Sequence, residues 1–230
     1  MKNVSINRFG YYVSVITAIL TVVTFGIAVC TPPLSGPFCK GDCFQYPYHD
    51  ILSRFPRDYY WMYPAILLSF SYMVMMITVH RSIPAERNLF SFVASGFAII
   101  SSLILSADYF IQVSFIQPSL LAGETDGVAM MSQFNPHGIF IILEELGFVT
   151  MGISFLFLVP AFAGPTRLEK SLRLAFIISF CLTVTAFIAI SAVHGIMREY
   201  RFEVVVISIT WLELIIVSFL LARYFRRNSN

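Results

Sequence analysis

The sequence predicts an all-α integral membrane protein, a bundle of six transmembrane helices with both termini in the cytoplasm. Hydrophobic residues make up 57% of the 230 residues, charged residues only 12%, and the mean hydropathy is +0.77. An ordinary soluble domain carries about 25% charged residues. Six stretches also reach the roughly 20 apolar residues needed to cross a bilayer core of about 30 Å. Lysine and arginine, finally, are concentrated in alternate connecting segments.

The same composition excludes other classes of protein. A chain with 23 Phe and 11 Tyr would bury them rather than stay disordered. The formal net charge of +2 gives no basic surface for nucleic acid. The expected partners are the lipid bilayer and a small-molecule or lipid ligand, and the oligomeric state stays open.

The spans follow one another without a long polar segment, which predicts a single domain over residues 1–230. They cover about residues 11–30, 59–79, 88–117, 136–163, 174–197 and 202–222, and the longest connection is an outer loop at 31–58. The first span is longer than the apolar core of a signal peptide, so we expect it to be retained.

Proline marks or bends several of these spans. Pro118 is expected to end the third helix, because proline cannot donate to the helical hydrogen-bond ladder. Pro64 and Pro160 lie inside the second and fourth spans and are expected to kink or loosen them. Neighbouring helices can accommodate such kinks in a bilayer.

Two helix starts have local signals. Asn135-Pro136 is typical of an N-cap followed by proline at the first helical position, and it predicts the start of the fourth helix. Thr166 and Glu169 fit a capping box for the fifth helix, directly after Gly164-Pro165 closes the fourth.

The positions of the basic residues predict the orientation. With a cytoplasmic N-terminus, the inner segments hold twice as many Lys and Arg residues as the outer ones, as the positive-inside rule requires. The inner residues are Lys2, Arg8, Arg81, Arg87, Arg167, Lys170, Arg173, Arg223, Arg226 and Arg227. The expected location is therefore the cell membrane, with both termini inside.

The outer loop 31–58 combines cysteines with many aromatic residues. Cys39 and Cys43 enclose a short turn at Gly41 and are a candidate disulfide, although Cys30 at the root of the loop offers another pairing. The aromatic residues fit either an interfacial belt with a packed cap, or a lid over a cavity that opens outward. The loop sequence alone does not decide between these alternatives.

Four acidic residues lie well inside the predicted spans, away from their ends, where ionisable groups are costly and usually face the bundle interior. They are Asp108, Glu144, Glu145 and Glu213. At 1.5 Å per residue, each lies roughly 11–16 Å from the outer end of its helix. No Lys or Arg lies well inside a span to neutralise them. We therefore expect an acidic layer that is reachable from outside.

Helical spacing groups these acids with other polar residues. Asp108 and Gln112 share one face, and so do His137 and Glu144. Adjacent glutamates point in different directions, so only one is expected to line a given cavity. The predicted ligand-binding residues are Asp108, Gln112, His137, Glu144, Glu145, His194 and Glu213.

The leading interpretation is an outward-facing polar cavity that binds, and in one version transports, a small cationic or amphipathic molecule. A second is a membrane-embedded enzyme on a lipid-like substrate, with a carboxyl group as general acid or base. A third is a structural or partner subunit whose acids join helices by hydrogen bonds. The sequence has no paired histidines for zinc and no cofactor fingerprint, so neither a metal nor a cofactor is expected.

Overall fold

The protein is described by a computed structural model over residues 2–229, with side-chain burial from residue 6 onward. The described residues are helical, with loops and no β-strand. Their α-helices are α1 (Lys2–Val29), α2 (Met62–Ser82), α3 (Asn88–Ile111), α4 (Gln117–Leu121), α5 (Val128–Met131), α6 (Ile139–Phe157), α7 (Arg167–His194) and α8 (Glu199–Arg227). The π-helical turn Gln112–Ile116 joins α3 to α4.

In the part of the chain that the structure describes, five helical segments are long and apolar enough to cross a membrane. They are Ile6–Val29, Arg57–Ser82, Ala85–Leu121, Ile139–Phe157 and Arg167–Arg227. The last has 61 residues and consists of α7 and α8, which fold back on each other at a turn where Met197 leaves helical geometry. The prediction of an all-helical chain with helices able to span a membrane is confirmed.

Five of the long helices form a closed ring. α1 contacts α2, α2 contacts α3, α3 contacts α6, α6 contacts α8, and α8 returns to α1. The most extensive interface is between α3 and α6. α7 lies outside the ring, against α8 and α6, so most of its apolar side chains are exposed. The two chain ends meet where the Asn7 amide donates to the Asn228 carbonyl at 2.6 Å.

The bundle therefore has two ends. The terminal end carries the start of α1, the end of α8 and the connections 83–87 and 158–166. The loop end carries the connections 30–61, 122–138 and 195–198.

The expectations for three prolines are wrong. The helix runs past Pro118 to Leu121. A π-helical turn lies directly before Pro118 and changes the hydrogen-bond pattern there, so the missing N–H of proline does not end the helix. Pro64 lies in the first turn of α2, where its missing N–H leaves no gap in the ladder. Pro160 lies beyond the end of α6 at Phe157, so it does not kink that helix.

The start of α6 also differs from the expectation. Its N-cap is Gly138, three residues after Asn135. The Asn135 side chain accepts a hydrogen bond from the His137 backbone N–H at 3.0 Å. This local turn two residues along the chain competes with a helix cap, which explains the later start.

The capping box of α7 is confirmed. The Thr166 hydroxyl accepts a hydrogen bond from the Glu169 backbone N–H at 3.2 Å, and the Glu169 carboxylate accepts one from the Thr166 N–H at 3.3 Å. Two backbone donors that the helix leaves unpaired are thereby satisfied.

Replacing Thr166 with alanine is expected to lower the free energy of unfolding by about 1 kcal/mol, because the cap loses its acceptor. Thr166→Ser keeps the hydroxyl and serves as the matched control. Thermal unfolding of the detergent-solubilised protein, followed by circular dichroism, measures both variants. Equal midpoints for the alanine and serine variants would show that the cap does not stabilise α7.

Candidate functional site

A cavity of about 290 Å³ lies at the loop end between α1, α6 and α8, and we call it the loop-end cavity. The segment from Thr31 to Ser35 roofs it, together with Asp58 and Gln133. Seven aromatic residues contribute to its walls. The aromatic lining residues are Phe25, Phe38, Trp61, Phe134, Phe140, Tyr200 and Trp211.

Two glutamates from different helices line this cavity. Glu144 of α6 and Glu203 of α8 are only 1% and 5% exposed, and their carboxyl groups lie within hydrogen-bonding reach of each other. The Tyr109 hydroxyl donates to Glu144 Oε1 at 2.8 Å. Two carboxylates in contact repel each other, so the pair is stable when it shares a proton or when a cation lies against it.

A third acid lies beside the pair without lining the cavity. Asp108 on α3 is 2% exposed and is close enough to Glu144 and Glu203 to interact with them electrostatically. Among the described residues, its Oδ2 atom has no hydrogen-bond partner. The cluster of Asp108, Glu144 and Glu203 therefore concentrates acidic groups at one wall of the loop-end cavity.

Several aromatic rings pack against Trp61 in the wall of the cavity. Its ring packs edge to face on Tyr109 at 5.1 Å and on Trp211 at 6.2 Å between ring centroids. Trp61 and Trp211 are the only tryptophans in the sequence, and both line the cavity. Aromatic faces beside carboxylates form a suitable environment for an organic cation.

Glu145 has a different role from its neighbour. Its Oε2 atom accepts a hydrogen bond from Arg198 at 2.8 Å, and the Arg198 guanidinium lies 4.6 Å from the centre of the Phe187 ring. The expectation that no basic residue neutralises the acids is therefore wrong for Glu145. Its partner comes from the turn between α7 and α8, which the linear order of the spans did not place beside α6.

Gln112 binds the loop 122–138 and does not line the loop-end cavity. Its side-chain amide donates to the Met131 carbonyl at 2.5 Å and accepts from the Gln133 backbone N–H at 3.0 Å. Gln133 in turn lines the roof of the loop-end cavity. Gln112 therefore helps to position Gln133 in the roof of the cavity.

The remaining predicted site residues lie elsewhere. Glu213 on α8 accepts a hydrogen bond from the Ser179 hydroxyl of α7 at 2.5 Å and does not line the loop-end cavity. His137 is exposed, 3.8 Å from Glu199, and His194 is an exposed residue at the end of α7. Of the seven predicted ligand-binding residues, Glu144 alone therefore lines the loop-end cavity.

Glu203 is the site residue that the sequence analysis missed. It lies one residue inside the predicted start of the sixth span, where a glutamate is readily assigned to the interface. Helical spacing could have identified it, because Glu203, Ile207 and Trp211 recur every four residues and therefore share one face of the helix. All three line the loop-end cavity.

The loop 31–58 both packs against the bundle and covers the cavity. Tyr48 and Tyr59 are buried, whereas Phe38 lines the cavity and Tyr46 is exposed. Burial, and secondarily the neighbouring Tyr46, raises the pKa of the Tyr48 hydroxyl, which stays protonated at neutral pH. The aromatic residues therefore serve as a cap and as a roof.

A disulfide joins Cys39 to Cys43 in this loop, and Cys30 and Cys181 are free thiols. Within residues 2–229, no group of three His, Cys, Asp or Glu residues is arranged to hold a metal ion. No protein-family model, curated protein or solved structure matches this chain.

Proposed function

We propose that this chain is a six-helix protein of the cell membrane, with both termini in the cytoplasm, whose loop-end cavity binds a small cationic or amphipathic molecule. Transport of that molecule across the membrane would extend the same binding step. The carboxyl groups of Glu144 and Glu203 would face the positive charge. The aromatic wall would hold the apolar part of the ligand.

The observation that carries this proposal is that Glu144 and Glu203 line the same cavity, within hydrogen-bonding reach of each other and beside seven aromatic residues. A ligand cation would relieve the repulsion between the two carboxylates, and the rings of Trp61 and Trp211 would add cation–π attraction. Ligand sites commonly enclose about 300–1,000 Å³. A cavity of about 290 Å³ therefore favours a small ligand.

Two further observations support the proposed topology. α7 and α8 pack on each other and are separated by the turn at Gly195–Arg198, which supports two spans in place of one long helix. The helix ends and connections at the terminal end together hold ten of the 15 Lys and Arg residues, which supports the placement of this end in the cytoplasm.

Intrinsic fluorescence tests the binding proposal, because both tryptophans line the loop-end cavity. We expect cyclohexylmethylammonium to change the tryptophan emission of the detergent-solubilised protein in a saturable manner. Cyclohexylmethanol, which has a similar size and no charge, is the matched control and is expected to have a much weaker effect. An equal response to both compounds, or none to either, would contradict the proposal and favour a structural role for the acids.

A further inference from the structure

A second cavity, of about 460 Å³, runs between α6 and α7 on the outside of the helix ring. We call it the lateral groove. One wall includes Leu146, Val149 and Ile153 of α6, and the other includes Phe180, Val184 and Phe187 of α7. The groove exists because α7 packs more extensively on α8 than on α6.

The lateral groove is open to the apolar surface of the bundle. Ile142 and Leu146 line it and are about half exposed, at 51% and 50%. In a bilayer this surface faces lipid, so the hydrocarbon chains of lipids have direct access to the groove. The groove and the loop-end cavity have no lining residue in common.

The length of the groove matches half a bilayer. Its lining on α6 extends from Ile142 to Ile153, which corresponds to about 16 Å at 1.5 Å per residue. The hydrocarbon core of a bilayer is about 30 Å thick. One acyl chain of one leaflet therefore has the length to lie along the groove.

The one charged residue that lines the groove, Glu145, lies toward the loop end, where lipid headgroups would lie. Arg198 donates to Glu145 there, and its side chain is 26% exposed. A guanidinium has five N–H donors, so most of those on Arg198 remain available to a phosphate.

The Glu145 carboxyl group of this ion pair also lacks a hydrogen bond at one of its oxygens. Glu145 lines the groove and is 8% exposed, and its Oε1 atom has no hydrogen-bond partner among the described residues. A buried unpaired oxygen is unfavourable, and a hydroxyl or ammonium donor of a headgroup would satisfy it. The end of the groove thus offers donors for a phosphate and an acceptor beside them.

We propose that the lateral groove binds one glycerophospholipid, with an acyl chain between α6 and α7 and the phosphate at Arg198. This site is independent of the loop-end cavity. It holds the lipid by apolar contact along the chain and by charge-assisted hydrogen bonds at one end.

Native mass spectrometry of the detergent-solubilised protein tests the apolar part of the site. The protein is titrated with phosphatidylglycerol and, separately, with phosphatidylethanolamine. Val149→Trp fills the groove from α6, and Val184→Trp fills it from α7. Leu103→Trp, at a 68% exposed position of α3 outside the groove, is the matched control.

We expect the wild type and Leu103→Trp to retain one tightly bound phospholipid, and the two groove-filling variants to bind it at least tenfold more weakly. Unchanged lipid binding in a folded Val149→Trp or Val184→Trp protein would overturn the proposal. So would a wild-type dimer that these variants dissociate, because a second copy of the chain would then occupy the groove.

The polar part of the site has its own test. The double variant Glu145→Gln/Arg198→Gln keeps the net charge and removes the guanidinium. We expect it to bind both phospholipids at least fivefold more weakly and to leave the binding of diacylglycerol, which has no phosphate, unchanged. The ratio of the wild-type affinities for the two phospholipids shows which headgroup donates the hydrogen bond to Glu145. Equal losses for phospholipid and diacylglycerol would overturn the assignment of Arg198 to the phosphate.

Discussion

Glu203→Gln is expected to weaken the binding of cyclohexylmethylammonium by about tenfold or more, because a hydrogen bond to a charged group contributes about 1.5–3 kcal/mol. Glutamine has nearly the shape of glutamate but cannot carry its negative charge. The tryptophan emission titration gives the dissociation constant directly. Binding of the uncharged cyclohexylmethanol should be unaffected.

Glu213→Gln is the matched control for this variant. It lies on the same helix and is also buried, at 4% exposure, but it bonds to Ser179 outside the loop-end cavity. We expect it to bind the cation as the wild type does. If Glu203→Gln and Glu213→Gln weakened binding equally, the effect would reflect general destabilisation of α8, and the assignment of Glu203 would be wrong.

Gly147→Val is expected to destabilise the protein by about 2–3 kcal/mol, because overpacking a dense core forces side chains and backbone to shift. Gly147 lies in the interface between α6 and α3. A Cβ atom there would lie 2.5 Å from Leu105 Cδ2, and Leu105 is itself only 2% exposed. The same approach lets the Ser101 hydroxyl donate to the Gly147 carbonyl at 2.8 Å. Thermal unfolding in detergent measures the loss.

Gly152→Val provides the comparison on the same helix, since its nearest neighbour would be Phe180 at 4.0 Å. We expect a much smaller effect there. Leu105→Ala combined with Gly147→Val should recover part of the lost stability, because it removes the side chain that clashes. A double variant less stable than Gly147→Val alone would show that the contact with Leu105 is not the cause.

Long apolar stretches made the helices predictable, because span length is set by bilayer thickness and not by packing details. The helix ends were less predictable. Pro118 normally ends a helix, yet the preceding π-helical turn lets the chain continue to Leu121. Gln112, the first residue of that turn, also bonds to the loop at Met131, a contact between separate segments that no local pattern predicts.

The candidate site was predictable only in part. Asp108 and Glu144 were identified because acids are rare within apolar spans, and the structure places them close together. Glu203, the third acid of this cluster, was missed because its position near the predicted start of the sixth span suggested that it lies at the membrane interface. Which acids meet depends on which helices are neighbours, and one sequence does not encode that order in any local pattern. The ion pair of Glu145 with Arg198 illustrates the same limit.

The closed helix ring has a consequence for the order of biosynthesis. α1 leaves the ribosome first and α8 last, yet they pack so closely that a Cβ atom at Gly10 would lie 2.7 Å from the Phe225 ring. Both helices also line the loop-end cavity. The cavity therefore cannot exist on a nascent chain, however many helices have already been inserted. A chain truncated before α8 would lose one of the two ring neighbours of α1 and, with it, the loop-end cavity.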